Sequence, residues 1–146
     1  MIKKNYKFLT LQDTQNWAYN FSSKLKKFDI VAIKGNLGVG KTVLARSIIQ
    51  YFCGVDTLVP SPTFTMLQIY DVSNFSIWHF DLYKLNSIFQ IEELGINDAF
   101  NQGISIIEWP EVILNILPKN TYILNMKLDL DSEIRYLEIT RSNNII

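Results

Sequence analysis

The stretch Ile30-Val31-Ala32-Ile33-Lys34-Gly35-Asn36-Leu37-Gly38-Val39-Gly40-Lys41-Thr42 decides the fold. Its first four residues form a short apolar run rich in β-branched side chains, the pattern of a parallel strand covered on both faces. Gly35 to Thr42 then matches G-x-x-x-x-G-K-[ST] without a mismatch. The glycines permit a tight turn and close backbone approach, so successive N–H groups face inward as an anion nest. The chain from Lys41 to about Phe52 reads as a helix stopped by Gly54. The loop therefore opens onto a helix N-terminus, whose partial positive charge favours phosphate. Lys41 supplies a point charge for outer phosphates, and Thr42 a hydroxyl for Mg²⁺.

Working outward, Thr10 to Lys27 reads as a first helix capped by Thr10 or Asp13, with Trp17, Phe21, Leu25 and Phe28 as its core stripe. Pro60-Ser61-Pro62 breaks regular structure. Thr65 to Tyr70 and Phe75 to Asp81 read as a hairpin turning at Asp71 to Asn74. Phe89 to Phe100 reads as one or two short helices interrupted by Gly95, and Ile104-Ser105-Ile106-Ile107 as a second buried strand ending at Glu108. Tyr122 to Leu130 and Arg135 to Thr140 form a closing hairpin around Asp131-Ser132. This order predicts an α/β, P-loop NTPase-like three-layer sandwich, a mixed sheet with a parallel core and antiparallel hairpin additions.

Composition bounds the rest. A chain of 146 residues, 48% apolar and 19% charged, fits one domain over residues 1–146 with a core of its own. No apolar run approaches the ~20 residues of a membrane span, and the basic start leads into no apolar signal core. Cys53 is the single cysteine, so a reducing cytoplasm is expected. With 14 basic and 14 acidic side chains, unaided nucleic-acid binding is not expected.

Phosphate chemistry needs a carboxylate at a neighbouring strand end. Asp81 and Glu108 both qualify. Glu108 follows the cleaner buried strand and is the preferred Mg²⁺ carboxylate. Asp81 is then the base, the residue that positions water, or an outer partner of the metal. Ser61-Pro62-Thr63 offers a hydroxyl able to sense a γ-phosphate, or is an ordinary proline turn. His79, the sole histidine, alternates with Trp78 and Phe80, the setting of a satisfied structural histidine rather than a catalytic one. Asn125-Met126-Lys127-Leu128-Asp129 has the wrong spacing for a guanine-reading element, which leans the base preference to adenine.

Ser61-Pro62-Thr63-Phe64, His79-Phe80-Asp81-Leu82-Tyr83-Lys84, Glu92-Glu93-Leu94-Gly95-Ile96 and Glu108-Trp109-Pro110, together with the loop, come in the order and spacing of the bacterial TsaE (YjeE) family. The resemblance covers nearly the whole chain. It implies an ATPase that converts ATP to ADP with Mg²⁺ and works with partners TsaB and TsaD. Together these place threonylcarbamoyl on the adenosine next to the anticodon in tRNAs reading ANN codons, with TsaD resembling the transferase. It further implies that Asn36, Leu37, Gly38, Val39, Gly40, Lys41 and Thr42 hold the phosphates, and that Thr42 and Glu108 hold Mg²⁺. By the same resemblance Asp81 and Lys41 are catalytic, Trp109 is needed beside the metal site, and Leu11 and Arg135 lie near adenine. Val39 stands where the family usually has Ala, Val43 where it has a second Thr, Lys84 where it has Arg, and Ala18 where it has Gly.

Two rival readings stand beside this one. A small-molecule phosphotransferase would need several arginines over the transferred group, whereas the chain holds only Arg46, Arg135 and Arg141. A nucleotide-gated interaction module would use ATP binding to change surface shape, with hydrolysis incidental.

Overall fold

The structure, a computed structural model, describes residues 1–142; the last four positions of the expected 1–146 domain lie outside the described residues. The elements run β1 (Ile2–Phe8), α1 (Leu11–Ser22), β2 (Ile30–Lys34), α2 (Lys41–Cys53), β3 (Leu67–Val72), β4 (Phe75–Asp81), α3 (Ile88–Glu93), α4 (Ile96–Gln102), β5 (Gly103–Glu108), a 3₁₀ helix (Pro110–Ile116), β6 (Tyr122–Leu128) and β7 (Arg135–Arg141). The strands form one 7-stranded sheet in the order β1-β7-β6-β2-β5-β4-β3. β6, β2, β5 and β4 run parallel, while β3, β7 and β1 pair antiparallel at the flanks.

The two apolar runs sit at the sheet centre because each is apolar on both faces. Val31, Ile33, Ile104 and Ile106 meet Ala18 and Phe21 of α1 and Leu44 and Ile48 of α2 in one core. Ile30 and Ile107 point the other way, into a second core with Phe80, Ile91 of α3, Ile96 of α4 and Ile113 of the 3₁₀ helix. Helices on both faces of the sheet make the expected three-layer sandwich. No helix among the described residues is long and apolar enough to cross a membrane.

Several boundaries differ from the sequence expectation. The first helix stops at Ser22 rather than Lys27. Asp29 Oδ2 accepts the Lys26 N–H at 2.8 Å, and Phe28 takes a positive φ of 77° with its N–H on the Gly103 carbonyl. That turn redirects the chain into β2 and leaves Phe28 half exposed, outside the core stripe to which it was assigned. At the other end Thr10 and Asp13 form a reciprocal capping box, so both expected caps act together. β1 escaped the reading altogether. Its Tyr6 and Phe8 alternate with Lys7 and Asn5, and it pairs with β7 only across the whole chain length. β6 does more than close a hairpin: it also lies parallel to β2, with Ile33 opposite Leu124.

Gly103 and Gly38 separate two reasons for glycine. A Cβ on Gly103 would lie 1.7 Å from the Ser76 carbonyl oxygen of β4, although its backbone is ordinary extended chain. A Cβ on Gly38 would meet nothing within 4 Å, but its φ is +80°. Gly103→Ala must therefore push β4 and β5 apart and should cost ~2–3 kcal/mol or more, whereas Gly38→Ala should cost only ~1 kcal/mol of left-handed strain. Urea unfolding of both variants checks this; equal losses would refute the steric account of Gly103.

Candidate functional site

Parallel pairing of β2, β5 and β4 brings their C-terminal ends to one edge. Ile33 lies opposite Glu108, and Glu108 opposite Asp81. Period-two alternation turns His79, Asp81, Ile106 and Glu108 to the sheet face covered by α2. The loop from Gly35 leaves β2 at this same edge and enters α2 at Gly40, whose φ of 108° sets the turn. A ligand crevice at the carboxyl ends of parallel strands, where the chain crosses from one side of β2 to the other, is where α/β sheets bind phosphorylated molecules.

Lys41 is folded back over its own loop. Its ammonium donates to the Gly35 carbonyl at 2.5 Å and the Asn36 carbonyl at 2.8 Å, and lies 3.9 Å from the centre of the Trp109 ring. Burial pulls its pKa below the ordinary lysine value; the carboxylates of Glu108, Glu111 and Asp81 oppose that shift. Thr42 Oγ1 donates to Glu108 Oε1 at 2.8 Å, and Glu108 Oε2 accepts from His79 Nε2 at 2.6 Å. Asp81 Oδ1 accepts from the Tyr83 N–H at 3.0 Å, and Oδ2 from the Ser61 hydroxyl at 3.3 Å; Ser61 Oγ also lies 2.9 Å from Thr63 Oγ1.

These groups line a hollow of about 340 Å³ that brings together Leu37, Gly38, Gly40, Lys41, Thr42, Thr63, Asp81, Glu108, Trp109 and Arg135 of the expected set. Leu11 lines a smaller adjoining hollow of about 260 Å³ that shares Gly40, Val43 and Arg135 with the first. Asn36 and Val39 are placed differently. Asn36 lines a hollow on the other side of the loop and reaches Lys41 only through its carbonyl. The Val39 side chain is buried in the core beneath α1 and α2, while its carbonyl accepts from Arg135 Nε at 2.9 Å. Trp109 holds φ 56° just before Pro110, is half-buried, and packs against Tyr83 with ring centres 4.8 Å apart.

Sequence reasoning missed two members of this group. His79 was assigned to the core as a satisfied histidine. It is buried, but its Nε2 bonds the Glu108 carboxylate and its Nδ1 has no partner. The signal was its period-two spacing from Asp81. Tyr83, again two residues on, lines the hollow and gives its N–H to Asp81. Of the arginines, Arg46 is turned to the Val59 carbonyl and Arg141 to Tyr122 and Asp29, so Arg135 alone of the three reaches the loop.

Chemically the site is a glycine loop closed over one buried ammonium, flanked by a hydroxyl and two carboxylates. Among the described residues no group of three or more His, Cys, Asp or Glu could by itself hold a metal. A hydroxyl and a carboxylate at hydrogen-bond distance suit Mg²⁺, which keeps waters and takes further oxygens from phosphates. Arg135→Ala should leave the fold intact but loosen the loop, weakening ADP binding about tenfold, the effect of one hydrogen bond from a charged donor. Isothermal calorimetry measures it, and an unchanged affinity would remove Arg135 from the site.

Comparison with known proteins bears on family and fold. Residues 9–137 match the family model described as threonylcarbamoyl adenosine biosynthesis protein TsaE. A TsaE protein of Rickettsia bellii is 45% identical over 129 residues, 88% of this chain and 89% of the relative. One from Rickettsia typhi is 42% identical over 90% of this chain and 91% of its own. One from Bacillus subtilis is 29% identical over 91% and 83%. A crystal structure of Bacillus subtilis YdiB superposes with a TM-score of 0.80 over 98% of this chain and 88% of that one, at 22% identity, and so shares the fold. With the phosphate loop, the crevice edge and these matches in agreement, the chain belongs to the TsaE family.

Proposed function

We propose that this chain is a Mg²⁺-dependent ATPase, weak alone and stimulated by partners, that supports threonylcarbamoylation of tRNA. The observation that supports it most is the Thr42–Glu108 hydrogen bond of 2.8 Å. It joins the start of α2 to the end of β5, beside the buried ammonium of Lys41. In this reading the loop N–H groups from Asn36 to Thr42 cradle the phosphates, and Lys41 turns from the Gly35 and Asn36 carbonyls to the outer ones. Thr42 and Glu108 hold Mg²⁺, which when bound offsets charge on the phosphate oxygens. Asp81 accepts a proton from, or orients, the attacking water; Tyr83 and Ser61 fix its two oxygens. Thr63, bonded to Ser61, carries the presence of the γ-phosphate to Asp81. Leu11 and Arg135 face the adenosine across the adjoining hollow, and ADP is the product.

The family description names threonylcarbamoyl adenosine biosynthesis, and the curated relatives are named for that modification in tRNA. We assign this chain the same pathway, acting on the adenosine next to the anticodon in tRNAs reading ANN codons. It works with protein partners resembling TsaD and TsaB, of which the one resembling TsaD performs the transfer. Residues 1–146 then act as one domain in the cytoplasm. Trp109 stands at the mouth of the hollow with Tyr83, half-buried and half available to a partner.

Lys41→Ala should weaken ADP and ATP binding about tenfold or more. Glu108→Gln should abolish the gain that Mg²⁺ gives to ATP binding while leaving metal-free ADP binding in place. Calorimetry with and without Mg²⁺ tests both, and unchanged affinity in Lys41→Ala would remove the loop as the nucleotide site. Trp109→Ala should cost ~2 kcal/mol or more in partner binding with nucleotide affinity nearly kept. If its partner affinity instead tracks only the folded fraction in thermal melts, Trp109 is core filling.

A further inference from the structure

Glu108 is held at both of its oxygens, and the two holds differ in kind. Oε1 accepts from Thr42, a hydroxyl that lines the hollow. Oε2 accepts from His79 at 2.6 Å, and His79 does not line the hollow: His79 is 0% and Glu108 1% exposed. His79 comes from β4, where it sits beside Ile106 of β5, two residues before Glu108. The strand backbones on either side are locked: the Leu82 N–H donates to the Glu108 carbonyl at 3.1 Å. A core-filling histidine would satisfy both nitrogens, yet Nδ1 has no partner. The one hydrogen bond of the His79 ring among the described residues is thus the one to this carboxylate oxygen.

We propose that His79 is the positioning residue of the Mg²⁺ carboxylate: its Nε2–H pins Oε2 of Glu108 so that Oε1 stays aimed at Thr42 and the phosphate loop. This rests on the reading of Thr42 and Glu108 as the Mg²⁺ pair. His79 is fully buried and lies behind Glu108, outside the lining of the hollow. It acts by removing the rotational freedom of a carboxylate that would otherwise be lost on each binding event, as outer hydrogen bonds to ligating carboxylates do elsewhere.

The test compares His79→Gln with His79→Asn. A glutamine amide nitrogen reaches about as far as Nε2; an asparagine nitrogen reaches only to Nδ1. Both place an amide in the same buried strand position. ADP affinity is measured by calorimetry with and without Mg²⁺, beside thermal midpoints. Metal-free ADP binding should be unchanged in both. The concentration of Mg²⁺ needed for its effect should rise at least tenfold in His79→Asn and stay near the unaltered value in His79→Gln. Equal behaviour of the two variants, whether both keep or both lose the Mg²⁺ effect, would overturn the proposal. The unaltered chain offers a second measurement that needs no variant. His79 is the only histidine, so its hydrogen-bonded Nε2 proton can be followed by proton NMR; it should persist with ADP and Mg²⁺ bound, and its loss to solvent exchange would also overturn the proposal. Failure of the underlying reading looks different: the unaltered chain would bind ADP with no response to Mg²⁺, or would not bind ADP at all.

Discussion

The parallel pairing of β2 with β5 is the constraint on which the rest of the molecule depends. It sets Ile33 opposite Glu108 and so puts the last carboxylate of one strand beside the loop that leaves the other. Each strand is apolar on both faces, and neither can be stable at an edge or against solvent. Burying both requires helices above and below, which is what divides the core into two parts around Val31, Ile33, Ile104 and Ile106 on one side and Ile30 and Ile107 on the other. Once that sheet is built, α2 can lie only over β2 and its neighbours, and its N-terminus must open at the Glu108 edge.

That edge concentrates charge in a place where charge is expensive. Lys41, Asp81 and Glu108 are all buried, and a buried charge is tolerated only when paired or hydrogen-bonded. Each is: Lys41 by two loop carbonyls and the face of Trp109, Asp81 by Tyr83 and Ser61, Glu108 by Thr42 and His79. Several of these partners belong to the same loop or line the same hollow. Lys41 occupies carbonyls that are its own loop's, and Thr42 occupies an oxygen of Glu108. The site is organised by contacts among its own members.

How much of this is legible in the sequence follows from the range of each signal. The loop, its helix, the two buried strands and the two carboxylates could be read because each depends on residues a few positions apart. Arg135 and Leu11 carried no local signal of their own: their place beside Val43 and Gly40 exists only because β7 pairs with β6, and α1 packs on α2. Phe28 misled for the complementary reason. Its helical spacing was correct, but the Asp29 carboxylate on the Lys26 N–H closes a turn before the helix reaches it.

The sequence by itself determined the anion nest, the identity of the charge in it, the P-loop sandwich and the strand ends that face it. Glycine, lysine and carboxylate chemistry at short spacing leaves few other arrangements. Only the tertiary structure decided which side chains turn toward Glu108 and which away, that His79 meets it from beneath, and that β1 closes the sheet against β7 from the far end of the chain. Hydrogen-bond geometry at 2.6 Å and strand pairing across more than a hundred positions are set by packing of the whole core, and no local pattern of residues encodes them.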